Sequence, residues 1–293
     1  YEPGEQWIRF RRDSSFASWS ETNQYAWTSL TPNTTYNFYT QTRNKENLEN
    51  TWVGPFENST LIELPTGLEY RIYVSSIEVR PTGNFTNLST GNSAIVVTRQ
   101  GDSAQLWQNT TNYWWTFVGL DTATAYNFRA NSRNRYGIAN SSTSWQTRYT
   151  LPATPSAPSI QNASASNVSL KINEGENSGN SNVRYALAIA TSAQFTPVQF
   201  ATYTGTSYTI ASMPSWLTYD EWGGVLGFTL GGLTSNTTYY FATKARNPDN
   251  LETQYSVQVS TRTKITTPTS IEFVMLSQSS STVKGTNPEI TSF

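Results

Sequence analysis

The chain of 293 residues contains no histidine and no cysteine, so the chemistry open to it is narrow. Ser-His-Asp and Cys-His nucleophiles, thiolate redox work and ordinary zinc, haem or iron–sulfur ligand sets are excluded, as is any disulfide. Acid–base work then falls to carboxylates, lysine or tyrosine. Asp220-Glu221 is the one adjacent acidic pair. A glycosidase needs two carboxyls about 5–10 Å apart across one cleft, whereas neighbours on a strand point to opposite faces. That pair reads as loop solvation. Asp249-Asn-Leu-Glu252 and Glu46-Asn-Leu-Glu49 could loosely hold calcium but lack EF-hand spacing, and read as polar hairpin turns. No glycine-rich phosphate loop occurs; Gly223-Gly224 and Gly231-Gly232 read as turns flanking Val225–Leu230. No enzyme activity and no cofactor are expected.

The elements that would position any site are strands. Charged residues are only 13% and aromatics 14%, and Thr and aromatics favour strands while Asn, Ser, Gly and Pro favour turns. With 19 basic against 20 acidic residues, no basic surface for nucleic acid is expected. No apolar run approaches the roughly 18 residues of a membrane span. The first residue, Tyr1, reads as the start of a mature or excised product. The class expected is all-β, located outside the cell or on its surface.

Three segments align without gaps: Leu30-Thr-Pro32-Asn-Thr34-Thr-Tyr36-Asn-Phe38, Leu120-Asp-Thr122-Ala-Thr124-Ala-Tyr126-Asn-Phe128 and Leu233-Thr-Ser235-Asn-Thr237-Thr-Tyr239-Tyr-Phe241. Each leads into an Arg-Asn pair: Arg43-Asn44, Arg133-Asn134 and Arg246-Asn247. Upstream apolar pairs, Tyr25 with Trp27 and Trp115 with Phe117, share one strand face by period two. These segments resemble the fibronectin type III family, whose Leu-x-Pro-x-Thr-x-Tyr turn joins strands E and F. The resemblance implies tandem β-sandwich modules with Tyr36, Tyr126 and Tyr239 as the tyrosine corner, each hydroxyl bonded back to nearby backbone. Where the family has a Trp on strand B, this sequence has aliphatics, Val79 and Leu170 or Ile172. The family's Arg-Gly-Asp adhesion tripeptide has no counterpart in the F–G loops.

Proline-rich joints divide the chain into 1–65, an incomplete module beginning at strand C (Trp7–Phe10); 66–152; 153–268; and a tail, 269–293. The third module carries a surplus of about 23 residues, centred near 212–224. Trp216, Tyr219 and Trp222 in that insertion are candidates for an interface or for stacking surface glycans, against the plainer reading that they cover their own sheet. Trp114 lies between inward-pointing Tyr113 and Trp115, so it should face outward and is a second interface candidate. Nine glycosylation sequons occur, at Asn33, Asn58, Asn84, Asn87, Asn109, Asn140, Asn162, Asn167 and Asn236. Asn33 and Asn236 share the same E–F turn, expected to be exposed.

The tail predicts a partner. Tyr36 and Tyr126 are 90 residues apart, and the distance from Tyr239 through Phe293 to Tyr36 of a following copy is also 90. Residues 269–293 and 1–14 together span 39 residues, matching the 39 from joint to end of strand C in the third module. The tail, with Ile271, Phe273 and Met275 as a donated strand, would supply strands A and B to the first module of a neighbouring copy. The reading is a structural subunit of a head-to-tail filament, or one period of a longer covalent repeat. Accessory or carbohydrate-binding and adhesion modules of a secreted protein are the alternative.

Overall fold

The computed structural model describes residues 5–102 and 106–289. Among them the chain is almost wholly strand and loop, the only helical pieces being two single 3-10 turns. Residues 1–4 and 290–293, the outer ends of the predicted first module and tail, lie outside the described residues.

In the first module β1 (Gln6–Arg12), β2 (Ser15–Phe16), β3 (Thr35–Asn44) and β4 (Val53–Ser59) form one sheet, ordered β2-β1-β3-β4. The second has two sheets. β5 (Gly67–Ile72), β6 (Ser76–Thr82) and β8 (Trp115–Val118) make one; β7 (Ala94–Arg99), β9 (Ala125–Arg133) and β10 (Gln146–Tyr149) make the other, in the order β10-β9-β7. In the third, β11 (Ser156–Ala163), β12 (Val168–Asn173) and β16 (Phe228–Leu230) are neighbours, as are β14 (Gln199–Tyr203), β13 (Arg184–Ala190), β17 (Thr238–Arg246) and β18 (Val259–Arg262). β15 (Tyr208–Ala211) joins the two sets through one parallel bridge, Tyr208 to Leu230. Last comes a separate hairpin, β19 (Ser270–Leu276) with β20 (Ser281–Thr286). A-B-E opposite C-F-G is the strand order of tandem fibronectin type III-like sandwiches, as the resemblance implies.

By packing, the chain forms two units: Tyr1–Arg71 with Ile77–Phe117 and Tyr126–Arg148, and Ile72–Ser76 with Val118–Ala125 and Tyr149–Phe293. In the first unit, Phe128 of β9 is fully buried, with Tyr70 of β5 and Phe117 of β8 at 5.9 and 5.1 Å. Alternation builds this core: Ile77, Val79 and Pro81 of β6 are buried and the residues between them are not. In the second unit Val168, Leu170 and Ile172 follow the same rule on β12, facing Tyr185, Leu187, Phe241 and Leu230. Each fully buried aliphatic contributes about 1.5–3 kcal/mol. The aliphatics expected in place of the strand-B Trp are thus core residues.

The corners repeat in detail. Tyr36 and Tyr239 Oη accept the N–H of Thr31 and Thr234, both at 2.9 Å. Thr34, Thr124 and Thr237 N–H groups donate to the hydroxyls of Thr60, Thr150 and Thr263 at 3.1, 3.0 and 2.9 Å. Asn33, Ala123 and Asn236 all take left-handed φ of 49°, 47° and 53°, a conformation that Asn tolerates better than most residues. Tyr239 is buried, whereas Tyr36 and Tyr126 are half-buried.

Candidate functional site

The aromatic insertion belongs to its own module. β14 pairs with β13 only at Ala188 and Ile189, leaving the edge of β13 open near its start. Leu217 fills that edge through two backbone hydrogen bonds with Tyr185, 2.7 and 3.1 Å. Trp222 is fully buried and donates its indole N–H to the Tyr185 carbonyl at 2.9 Å, with Tyr208 and Phe228 rings 5.2 and 4.7 Å away. Gly223, φ 81°, makes the tight return; a Cβ there would lie 1.9 Å from the Gly227 carbonyl oxygen. Tyr219 packs partly buried on the core, and Trp216 lies under the Arg246 guanidinium at 4.6 Å. The interface and glycan readings of Trp222 are therefore corrected: an under-covered sheet edge holds the ring inside. Glu221 accepts from Thr218 N–H and Oγ at 2.7 and 2.9 Å, and the backbone N–H bond holds its carboxyl below the ordinary value. It staples a turn. Trp114 does face outward, but it is half-buried between Arg71 and Arg80, 4.1 and 4.8 Å from its ring.

The sequons divide by environment. Asn58, Asn84, Asn87, Asn109, Asn162, Asn167 and Asn236 are exposed. Asn33 is 0% exposed, a correction to the exposed turn expected. Its Nδ2 donates to Thr86 O, Asn87 O and Ser93 Oγ (3.1, 2.8 and 2.8 Å), and its Oδ1 accepts Arg135 N–H (2.8 Å). Asn140 is half-buried, donating to Ile62 O and Ser132 Oγ at 2.6 and 2.9 Å. Neither amide is free to take a sugar in the folded chain.

Two surfaces remain unsatisfied. The first is one face of the first module's sheet. Its other face is closed by interleaved cations and rings: Arg9 over Trp19 at 4.5 Å, Arg11 over Tyr39 at 3.7 Å, Arg43 over Trp19 at 4.6 Å. The open face carries Phe10, Phe38 and Phe56, placed together by the registers Phe10–Thr40 and Phe38–Phe56. Phe56 is 63% exposed. Phe38 is half-buried, whereas its counterparts Phe128 and Phe241 are fully buried. Tyr25 and Trp27, expected on a strand, lie in irregular chain, their rings 4.8 Å apart. In the third module strand E pairs with strand B (β16 with β12); residues 25–27 pair with no strand among the described residues.

The second surface is the β19–β20 hairpin, every residue of which is exposed, including Ile271, Phe273, Val274, Met275, Leu276 and Val283. Its geometry repeats β11–β12. Ile160 pairs with Leu170 and, past a bulge, Ala163 with Val168; Phe273 pairs with Val283 and, past a bulge, Leu276 with Ser281. All four positions are offset by 113 residues. So are the turns: Ser164 N–H to Asn167 O and Ser277 N–H to Ser280 O, both 2.8 Å. The bulge corrects the predicted donor set. Ile271, Phe273, Leu276 and Val283 share one face, while Met275, opposite Thr282, is turned to the other. In the third module the corresponding face is the one buried in the core.

No protein-family model and no curated protein matches the sequence. Among solved structures, the chain is similar to the FN1–FN3 domains of chicken CNTN1, at 13% identity and a TM-score of 0.37, over 89% of this chain and 88% of that one. The fold assignment rests on strand order and the repeated corner. No helix among the described residues is long and apolar enough to cross a membrane, and no cluster of three or more metal-ligating side chains occurs among them.

Proposed function

We propose that the chain is a structural subunit of an extracellular or cell-surface filament, divided near Pro65, Pro152 and Pro268, whose β19–β20 hairpin completes the first module of a neighbouring copy. The fibronectin type III-like fold suits such extracellular, non-catalytic modules. The observation that carries the proposal is the hairpin: it has the bulge, turn and register of a strand A–B pair, and its apolar face has nothing to cover.

The acceptor follows from the third module. There Leu170 opposes Phe228 and Val168 opposes Leu230; the matching pairs are Val283 with Tyr25 and Ser281 with Trp27. Donation would order residues 25–27 as strand E and lay Phe273 and Leu276 over Phe10, Phe38 and Phe56. Burying Ile271, Phe273, Leu276 and Val283 is worth about 1.5–3 kcal/mol each, before the cost of ordering. The same geometry serves copies joined covalently in one longer chain.

The test is deletion of residues 269–293. The intact chain should form filaments by electron microscopy, and the truncated chain should sediment as a monomer with modules two and three still folded. Filaments from the truncated chain would refute donation. The carbohydrate-binding alternative loses its main support with Trp222 inside the core.

A further inference from the structure

Resting on that reading of the chain as a head-to-tail subunit, we infer that the junction between copies repeats the two junctions inside the chain, closed by Asn44 of one copy donating to the Thr263 carbonyl of the copy before it.

The inference starts from three F–G loops folded alike. Asn44, Asn134 and Asn247 each accept, through Oδ1, the N–H four residues on, at 2.9, 3.0 and 2.9 Å. That bond fixes the side-chain amide so that Nδ2 points away from its own loop. In two loops Nδ2 then reaches the preceding module: Asn134 donates to Thr60 O at 3.1 Å, and Asn247 to Thr150 O at 3.0 Å. Both asparagines are buried. The third loop has the same fixed amide, yet Asn44 Nδ2 has no hydrogen-bond partner among the described residues, and Asn44 is only half-buried. The third acceptor also exists. Thr263 matches Thr60 and Thr150, since all three hydroxyls receive the corner N–H described above. Its carbonyl receives no hydrogen bond among the described residues. One donor and one acceptor are left over, at opposite ends of the sequence.

The surroundings agree on both sides. Around Asn44 lies a cleft of about 380 Å³ lined by Gln6, Trp7, Thr42, Arg43, Asn44 and Asn50. In the second module the matching groups bond the preceding module: Ser93 to Asn33, Ser132 to Glu63 O, and Asn140 to Ile62 O. Ile62 is 3% exposed, while its counterpart Ile265 is 43% exposed. Likewise Asn33 is buried and its counterpart Asn236 is exposed. The hairpin half of the third junction is already made within one copy: Ser235 Oγ donates to the Glu289 carboxylate, and Asn287 Nδ2 to Thr266 O. In the second junction Asn180 Nδ2 likewise donates to Thr122 O at 2.8 Å, Thr122 being the counterpart of Ser235. What the third junction lacks within one copy is the F–G half, which Asn44 and its loop would supply from the next copy.

A cysteine pair tests the junction without touching Asn44. Asp249 Oδ2 accepts Tyr149 N–H at 3.0 Å across the second internal junction; the matching pair between copies is Glu46 with Arg262, both exposed. In a chain without cysteine, the double variant Glu46→Cys, Arg262→Cys should give, on oxidation of assembled protein, a ladder of covalent multimers on a non-reducing gel. Each single variant should stop at dimers. Asn44→Leu should raise the critical concentration for assembly roughly tenfold, the effect of one lost buried hydrogen bond, and leave the melting of modules two and three unchanged. Filaments that form normally from the double variant but yield no ladder would overturn the junction and leave hairpin donation standing. Intact chain that never forms filaments would instead refute the parent reading. A fast-migrating monomer band, closure within one copy, would overturn the junction between copies.

Discussion

Trp222 shows how far a residue's type can mislead about its role. A tryptophan in an insertion reads either as a contact residue, because aromatics dominate interfaces, or as cover for its own sheet, and Trp222 takes the second role. Its burial is decided by something sequence spacing does not carry, the short pairing of β14 with β13, which leaves Tyr185 an edge to be filled. Trp222→Ala should destabilise the third module by about 3–5 kcal/mol, read by chemical denaturation. A change below about 1 kcal/mol would put the ring's weight elsewhere. Asn134 and Asn247 show a different case. The Arg-Asn pairs are plain in the sequence, but their tie to the preceding module is not, because the acceptors are backbone carbonyls and carry no sequence signature. The tyrosine corner was legible because the backbone that Tyr36 and Tyr239 bond, Thr31 and Thr234, lies only five residues upstream, whereas the threonine partners 26 residues on were not.

At the scale of elements, one bulge decides which side of the hairpin is useful. Alternation from Ile271 puts Met275 beside Phe273; the bulge puts Leu276 there instead. A single extra residue flips every later side chain, and hydrophobic runs such as Phe273-Val-Met-Leu276 hide it because all candidates are apolar. Phe273→Asp or Leu276→Asp should abolish assembly, while Met275→Asp should assemble within a few-fold of the parent chain, measured by sedimentation. Equal loss from Met275→Asp and Leu276→Asp would reject the proposed face. β16 and residues 25–27 make the complementary point. Both sequences suit a strand, but only β16 has β12 to pair with, so strand propensity is realised in one and not in the other. Propensity here is permission; the neighbour decides.

For the whole molecule, stability is uneven. The third module holds a contiguous core with Tyr185, Trp222 and Phe241 fully buried, whereas the first has a single sheet and exposed aromatics. In unassembled chain the amides of β1 and β3 should therefore exchange with deuterium much faster than those of β13 and β17. On assembly, protection should rise in β1, β3 and residues 25–27 and stay constant in β13. Protection of β1 equal to that of β13 in dilute monomer would mean the first module stands without a donor.

The unlike character of the two surfaces has a directional consequence. On the proposed donation, the hairpin of one copy meets the unlike sheet of the next, so the contact is heterologous rather than one patch pairing with itself across a two-fold axis. Every polymer made this way has a polarity: one tip presents aromatic rings awaiting strands, the other presents a spare pair of strands. Elongation, termination and attachment to a support become separate problems, each addressed by capping a different tip.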